Sequence, residues 1–138
     1  MALGGVRRAG AGERELGRLP GGRAVALHLA EGLPGLAAGD GGEDVLLLDR
    51  GPLRLPAVSF QADPASPTAP WRITSQDGAI DLAFRPVASH RESRELLLVA
   101  LRTSQLAGEL TGRVPGPGGA PLEVEGLAAV VEELSARW

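Results

Sequence analysis

The stretch PWRITSQDGAIDLAFRP (residues 70–86) predicts a β-hairpin and decides the fold. Asp77-Gly78 is a strong hairpin signal, because a type I′ turn needs positive φ at both central residues and this pair tolerates it. Counting outward from that loop sets Trp71 opposite Phe84. Side chains alternate between the two faces of a strand. The register therefore predicts that both aromatic residues lie on one buried face as a cross-strand pair.

The same alternation of apolar and polar residues recurs along most of the chain and predicts further short antiparallel strands. Near the C-terminal end, Leu106 and Leu110 share a predicted face with Gly108 and Gly112. Two in-register glycines on an inner face predict sharp strand curvature or a close approach of backbones. The other strand segments are AVALHLAE (24–31), DVLLLD (44–49), PLRLPAVSF (52–60), LEVEG (122–126) and ELLLVALRT (95–103), which is expected to be a single buried central strand.

The last residues carry a different period and predict one α-helix over about 127–137. Apolar residues there follow a helical i, i+3, i+4, i+7 stripe. The fold class expected from the whole pattern is mainly β: an antiparallel meander that forms a barrel or a strongly curved sheet, with one C-terminal α-helix. The stripe consists of Leu127, Val130, Val131, Leu134 and Trp138.

Composition sets limits on function. The chain has 138 residues, a net charge of −3 and no Cys, which predicts one domain without disulfides, thiolate metal sites or a basic field for nucleic acid. The longest aliphatic run, 96–101, is far short of the roughly 20 residues that span a bilayer, so no membrane span and a cytoplasmic location are expected. The Gly- and Arg-rich segment 1–22 lacks a secretory h-region and is expected to be flexible, ahead of a domain over 23–138.

Sites for metals and cofactors are not expected. The two histidines, His28 and His90, are interpreted as an edge or solvated residue and as a loop residue respectively. Neither belongs to a spacing that ligates metal. No glycine-rich loop lies between a strand and a helix, and no nucleophile elbow is present. Cofactors are therefore expected to be none.

Several separated motifs resemble one bacterial family. Residues 70–86, followed by LAGELTGRV (106–114), LEVEGL (122–127) and a terminal ARW, look like the C-terminal part of the family called domain of unknown function 2804. The upstream segments GRAVALHLAEG (22–32) and DVLLLDRGPLRLPAVSFQAD (44–63) also occur in that family's order. The resemblance covers Gly22 to Trp138. It implies only the second half of the family's usual two-half protein, and EGLPGLAAGDGGED (31–44) departs from the family's pattern.

The resemblance implies a lipocalin-like fold. The family is similar to proteins that include AttH, carotenoid hydratases and tocopherol cyclase, which hold apolar substrates and use a buried carboxylic acid. By family position, Glu132 and Asp81 are the candidate catalytic acids. For both, a solvated residue or an ion pair with an Arg is the alternative interpretation.

Three functional hypotheses remain open at this point. The first is a non-catalytic, lipocalin-like domain that binds a lipophilic small molecule or packs against another half-barrel. The second is a hydratase, cyclase or isomerase acting on an apolar substrate. The third is a structural half-protein that forms a homodimer or completes itself with a missing N-terminal half. The residues expected to contact a ligand are Trp71, Phe84, Leu106 and Leu110.

Overall fold

The computed structural model describes residues 3–10, 17–18, 24–31, 44–48, 51–63, 65–66, 68–96 and 99–137. Within these residues the backbone forms ten β-strands and one short 3-10 turn, Pro117–Gly119, and no α-helix. The strands are β1 (Leu3–Gly10), β2 (Gly17–Arg18), β3 (Ala24–Glu31), β4 (Val45–Leu48), β5 (Gly51–Arg54), β6 (Val58–Gln61), β7 (Trp71–Ser75), β8 (Asp81–Leu96), β9 (Val99–Pro115) and β10 (Pro121–Arg137).

All the described strands pair antiparallel, which confirms the expectation of a mainly β, antiparallel fold. Their order across the sheet is β5-β4-β3-β1-β10-β9-β8-β7-β6, with β2 beside β3. The sheet curves strongly, because β6 at one end contacts β3, which lies near the other end. The Phe60 amide of β6 donates a hydrogen bond to Glu31 Oε2 of β3 at 3.1 Å. The described ladders do not join the two ends into a closed barrel.

The hairpin between β7 and β8 has the predicted register. Trp71 lies opposite Phe84, and both side chains are buried, with 4% and 0% of their surface exposed. The turn type differs from the prediction. Of the described non-glycine residues, none has positive φ, so Asp77 does not adopt the type I′ conformation. The Gly78 amide instead donates to the Ser75 carbonyl at 3.1 Å, which makes a four-residue loop, 76–79.

The predicted C-terminal α-helix is wrong, because residues 121–137 form the strand β10. Burial in β10 has a period of two: Leu127, Ala129 and Val131 are buried, whereas Val130 is 42% exposed. The Ala-, Leu- and Glu-rich sequence favours a helix locally. Pairing with β9 on one side and β1 on the other satisfies the backbone groups of this segment and overrides that local preference.

The run ELLLVALRT (95–103) does not form the single central strand that was predicted. Strand β8 ends at Leu96 and β9 begins at Val99, with these two residues opposite each other. Residues 97–98 lie outside the described residues. Apolar runs of this length carry no signal for a chain reversal, because neither Gly, Pro, Asn nor Asp interrupts them. The two strands that meet here are the long arms of one hairpin.

The N-terminal segment that was expected to be flexible contains β1. This strand lies inside the sheet, between β3 and β10. Its sequence, LGGVRRAG, has no apolar alternation, so the pattern gave no reason to expect a strand. The rest of the segment, apart from the two residues of β2, falls outside the described residues, and the boundary at residue 22 stays a prediction.

One cluster of buried apolar side chains forms the core. The two inner glycines allow close backbone contact, as predicted. A Cβ on Gly108 would lie 2.2 Å from the Arg85 carbonyl oxygen and 2.9 Å from the Phe84 ring. A Cβ on Gly112 would lie 2.1 Å from the Asp81 carbonyl oxygen. The absence of side chains at these positions lets β9 approach β8, and the Phe84 ring covers the space above Gly108.

Candidate functional site

Two β-bulges decide which side chains of the long strands face inward. One shifts the register of β8 against β9 between Pro86 and Ala88. The other shifts β10 against β9 between Val124 and Leu127, where Gly126 has a φ of 60°. A bulge adds one residue to one strand, so every residue beyond it changes face. After the β8 bulge the odd-numbered residues share the face of the core, whereas before it the even-numbered residues do.

Beyond Leu106 and Val131, which are paired with each other and buried, the inner face of β8, β9 and β10 becomes polar. Residues directly opposite each other in a ladder lie on the same face. The register therefore creates two polar rows on the inner face. The first row is Arg91, Ser104 and Glu133, and the second is Ser93, Arg102 and Ser135.

These two rows line a cleft of about 460 Å³ that opens to solvent. Trp71 and Leu106 line the same cleft and belong to the apolar core cluster. The bulk of both side chains is buried, so they contribute a small apolar surface, here called the apolar floor, to the lining of the cleft. We call this cleft the inner-face cleft. It joins an apolar floor to walls that carry guanidinium, carboxylate and hydroxyl groups.

The charged groups of the inner-face cleft are Arg91, Arg102 and Glu133. Both arginine side chains are exposed. Within the part of the chain that the structure describes, neither guanidinium has a carboxylate partner. Two positive groups and one negative group line the cleft, so its walls carry an excess of positive charge.

Three arginines on the opposite face of β7, β8 and β9 are paired. Arg72 donates to Asp81 Oδ1 at 2.7 Å, and Arg113 lies 3.9 Å from Asp81 Oδ2. Arg85 donates to Glu109 Oε2 at 2.7 Å. These pairs satisfy both partners without a ligand. Among the described side chains of β7, β8 and β9, the outer face therefore offers no comparable unpaired arginine.

The described residues contain no group of three or more His, Asp or Glu side chains that could hold a metal ion. They also form no helix with the length and apolar character needed to cross a membrane.

A family model with the description "Domain of unknown function (DUF2804)" matches residues 14–138. The chain belongs to this family. The resemblance seen in the sequence motifs is therefore confirmed, and the match begins ahead of Gly22, where those motifs started. No curated protein and no solved structure matches the chain. The family description states no activity, so the function of this DUF2804 domain has to be argued from its geometry.

The structure separates the four residues that were expected to contact a ligand. Trp71 and Leu106 line the inner-face cleft of the DUF2804 domain. Phe84 and Leu110 are opposite each other in β8 and β9, and neither is exposed to solvent. They pack behind the cleft in the core. Their contact with a ligand stays a prediction, and in the structure both belong to the buried core.

The two candidate acids do not line the cleft. Asp81 lies on the outer face, where the hydrogen bond from Arg72 lowers its pKa, with further lowering by the charges of Arg72 and Arg113. A general acid near neutral pH needs the opposite shift. Glu132 is half-buried; it follows inward-facing Val131 and shares the face of exposed Val130, away from the core. The catalytic roles of both stay predictions, and the next residue, Glu133, is the carboxylate that lines the cleft.

Sequence reasoning missed Arg91, Arg102 and Glu133 as site residues. His90, which was expected in a loop, lies in β8 and is exposed, so the polar segment around it is strand and not turn. Pro86 was the available signal, because proline inside a strand usually marks an edge or a bulge. A bulge placed there would have moved Arg91 from the outer to the inner face.

Sequence reasoning also missed Asp44 and Glu31, whose carboxylates accept hydrogen bonds from backbone amides of this DUF2804 domain. Asp44 is buried, with 2% of its surface exposed, and its Oδ1 accepts a hydrogen bond from the Ala30 amide at 2.8 Å. Its backbone carbonyl accepts from the Leu55 amide at 2.9 Å. Together with the Glu31–Phe60 bond, these contacts connect the start of β4 and the end strand β6 to β3. They stabilise the curvature that brings the ends of the sheet together.

Proposed function

We propose that this DUF2804 domain binds a lipophilic small molecule in the inner-face cleft. One observation carries the proposal: Trp71 and Leu106 supply an apolar floor to a cleft whose other lining residues are polar. Small-molecule sites generally have volumes of roughly 300–1,000 Å³ and combine apolar surface with a few polar groups. The volume of about 460 Å³ falls within that range.

The proposal includes a lipocalin-like mode of binding, in which a curved antiparallel sheet holds the ligand at one end. The centre of the curved sheet is not the expected position, because the side chains of Phe84, Leu110 and their neighbours fill it. A ligand is instead expected to contact the core from the end, where β7 begins at Trp71 and β8 continues paired with β9 but not with β7. Burial of the ligand's apolar part against Trp71 would stabilise the complex by the hydrophobic effect.

Fluorescence of Trp71 tests the proposal. The chain has two tryptophans, so a Trp138→Phe background leaves Trp71 as the only indole. Titration with the neutral apolar fluorophore N-phenyl-1-naphthylamine should then give saturable energy transfer from Trp71, with one probe bound per chain. The Ser104→Phe variant should abolish this signal, because Ser104 lies in the first polar row and a phenyl ring there fills the cleft.

Gln105→Phe is the matched control, because Gln105 is the next residue of β9 and is exposed on the opposite face. It adds the same apolar ring without entering the cleft, and binding should be unchanged. Saturable binding that survives in Ser104→Phe, or no saturable binding in the parent, would contradict the proposal. Sedimentation of the parent would show whether the same face is instead covered by a second copy, in which case probe binding should fall as the dimer forms.

A further inference from the structure

We infer that the ligand of the inner-face cleft is an anionic amphiphile, whose carboxylate or phosphate head group binds between Arg91 and Arg102. The inference rests on the proposed function, since it specifies the chemical class of the molecule bound at that site. Its starting point is the excess of positive charge in the lining of the cleft. The chain as a whole carries a net charge of −3, so any preference for anions has to be local.

The register places the two guanidinium groups where one anion can contact both. Arg91 is directly opposite Ser104, and Arg102 lies two residues before Ser104 on the same face of β9. Residues in this diagonal relation are about 7–8 Å apart between neighbouring strands. Each guanidinium presents a planar set of N–H donors that matches the oxygens of a carboxylate or phosphate. An anion between the two side chains would accept hydrogen bonds from both.

Without a ligand, the pair is electrostatically unfavourable. Like charges directly opposite each other destabilise a sheet, and the diagonal pair of guanidinium groups keeps part of that repulsion. Glu133 is one strand further away than Ser104 from Arg91 and diagonal to Arg102, so it can offset only part of the two positive charges. The outer arginines show how the same sheet compensates such charges: Arg85, for example, is hydrogen-bonded to Glu109 directly opposite. No described carboxylate has that relation to Arg91 or Arg102, and a bound anion would supply it.

The uncharged polar groups of the cleft support an oxygen-rich head group. Ser93 and Ser135 flank Arg102 in the second row, and Ser104 lies in the first. Their hydroxyl groups can donate further hydrogen bonds to anion oxygens. A cationic head group would instead meet two guanidinium groups. A neutral alcohol would leave both of them without a charged partner.

The distances along the strands fit a head group joined to an apolar tail. A strand rises about 3.3–3.4 Å per residue, so the rows of Arg91 and Arg102 lie about 7 and 13 Å from the level of Leu106. Leu106 and Trp71 form the apolar floor. The tail of the ligand would contact this floor, while its head would lie between the two rows.

Displacement of N-phenyl-1-naphthylamine by ligands that share one alkyl chain tests the inference. Dodecanoate and dodecyl phosphate should displace the probe at about tenfold lower concentration than dodecanol, and dodecylammonium should be weaker still. All ligands are used below their micelle concentrations. Inorganic phosphate alone, at the same concentrations, should not displace the probe, because it lacks the apolar tail.

Arg91→Gln and Arg102→Gln should each weaken dodecanoate binding about five- to tenfold while changing dodecanol binding less than about twofold. The double variant should bind the two ligands equally. Arg85→Gln is the matched control, because it removes the same charge from the outer face, and it should keep the preference for dodecanoate.

Equal affinities for dodecanoate and dodecanol, unaffected by either Arg variant, would overturn the inference and leave the proposed function intact. Displacement by inorganic phosphate at the concentration needed for dodecyl phosphate would overturn it too, because the site would then bind the free anion. If the probe binds saturably but no alkyl ligand displaces it, the inference fails and the proposed function stands; if the parent shows no saturable probe binding, both fail.

Discussion

Arginines on the two faces of one sheet differ in whether a carboxylate lies within hydrogen-bonding distance. On the outer face, Arg72 and Arg85 are hydrogen-bonded to Asp81 and Glu109 in the same or the neighbouring register. On the inner face, Arg91 and Arg102 have no carboxylate partner among the described residues. Exposed ion pairs contribute little to stability, so the outer pairs chiefly satisfy the charges of their own partners. In the described part of the chain the inner arginines lack such partners, and this difference is what the proposal of anion binding in the inner-face cleft rests on.

A second contrast runs along the inner face itself. Up to Leu106 and Val131 it is apolar and buried, and beyond them it is polar and open. Core substitutions should therefore change the stability of the domain, whereas substitutions in the polar rows should change only what it binds. Phe84→Ala and Gly108→Ala test the apolar region, whereas Arg91→Gln and Arg102→Gln test the polar rows.

Phe84→Ala should cause the largest loss, about 3–5 kcal/mol of unfolding free energy, because it leaves a cavity at a fully buried ring. It also removes the cross-strand partner of Trp71 and the cover above Gly108. Urea denaturation monitored by circular dichroism measures the change. Val87→Ala, at an exposed position of β8, should cost less than about 0.5 kcal/mol. A loss below about 1 kcal/mol for Phe84→Ala would show that the apolar region does not hold the sheet together.

Gly108→Ala should cost somewhat less, about 1–3 kcal/mol, because the new methyl group would overlap the Arg85 carbonyl and the Phe84 ring. The two strands would have to separate at the point where the β8 bulge begins. Ala107→Val is the control, since Ala107 is the exposed neighbour on the other face. The same denaturation experiment applies. Equal stability of the two variants would mean that the close approach of β8 and β9 is not needed.

The hairpin could be predicted because its information is local. Asp77-Gly78 and the alternation on both sides of it set Trp71 opposite Phe84 within one short segment. The helix prediction for residues 127–137 was wrong for the opposite reason. Their helical stripe is a local property, but their strand conformation depends on pairing with 100–110, which short-range periodicity does not contain. Leu127 and Val131 satisfy both periods, so burial at these two positions could not distinguish helix from strand.

The candidate site was harder to predict than the fold. Its apolar floor was found in part, because Trp71 and Leu106 belong to strands with clear alternation. Its charged walls come from three strands, and each row exists only after the bulge in β8 or in β10 has changed the face of the residues that follow. A one-residue shift also separates Glu132, which the family position indicated, from Glu133, which lines the cleft. A one-residue error in the register of a strand moves every following side chain to the other face of the sheet, whereas the same error in a helix only rotates its apolar stripe.

Arg85→Gln should lower stability by about 0.2–1 kcal/mol, because it breaks an exposed pair with Glu109. Arg91→Gln and Arg102→Gln should leave the stability of the ligand-free domain unchanged or slightly higher, because they remove one of two unpaired like charges. Thermal unfolding at low and high salt measures both effects, and only the loss in Arg85→Gln should shrink as salt rises. A clear loss of stability in Arg91→Gln would show that this guanidinium has a structural partner and would weaken the contrast between the faces.

The smallest effect concerns acid titration of the outer face. The hydrogen bond from Arg72, with the added charges of Arg72 and Arg113, lowers the pKa of Asp81 from its ordinary value of 3.8. A carboxyl group whose pKa is lower in the folded state contributes stability that is fully present above 3.8 and is lost as the pH falls through the folded value. Carboxyl-detected NMR titration should therefore place the Asp81 midpoint below 3.8, and Arg72→Gln should move it upward.

Arg91→Gln is the matched control for that titration, because it removes a guanidinium from the inner face, where Asp81 has no contact. The Asp81 midpoint should stay where it is in the parent. A midpoint that moved equally in Arg72→Gln and Arg91→Gln would mean that the carboxylate responds to the total charge of the domain and not to its own partner. In that case the pairing on the outer face would be no different in kind from the unpaired charges of the cleft, and the electrostatic distinction between the two faces would not hold.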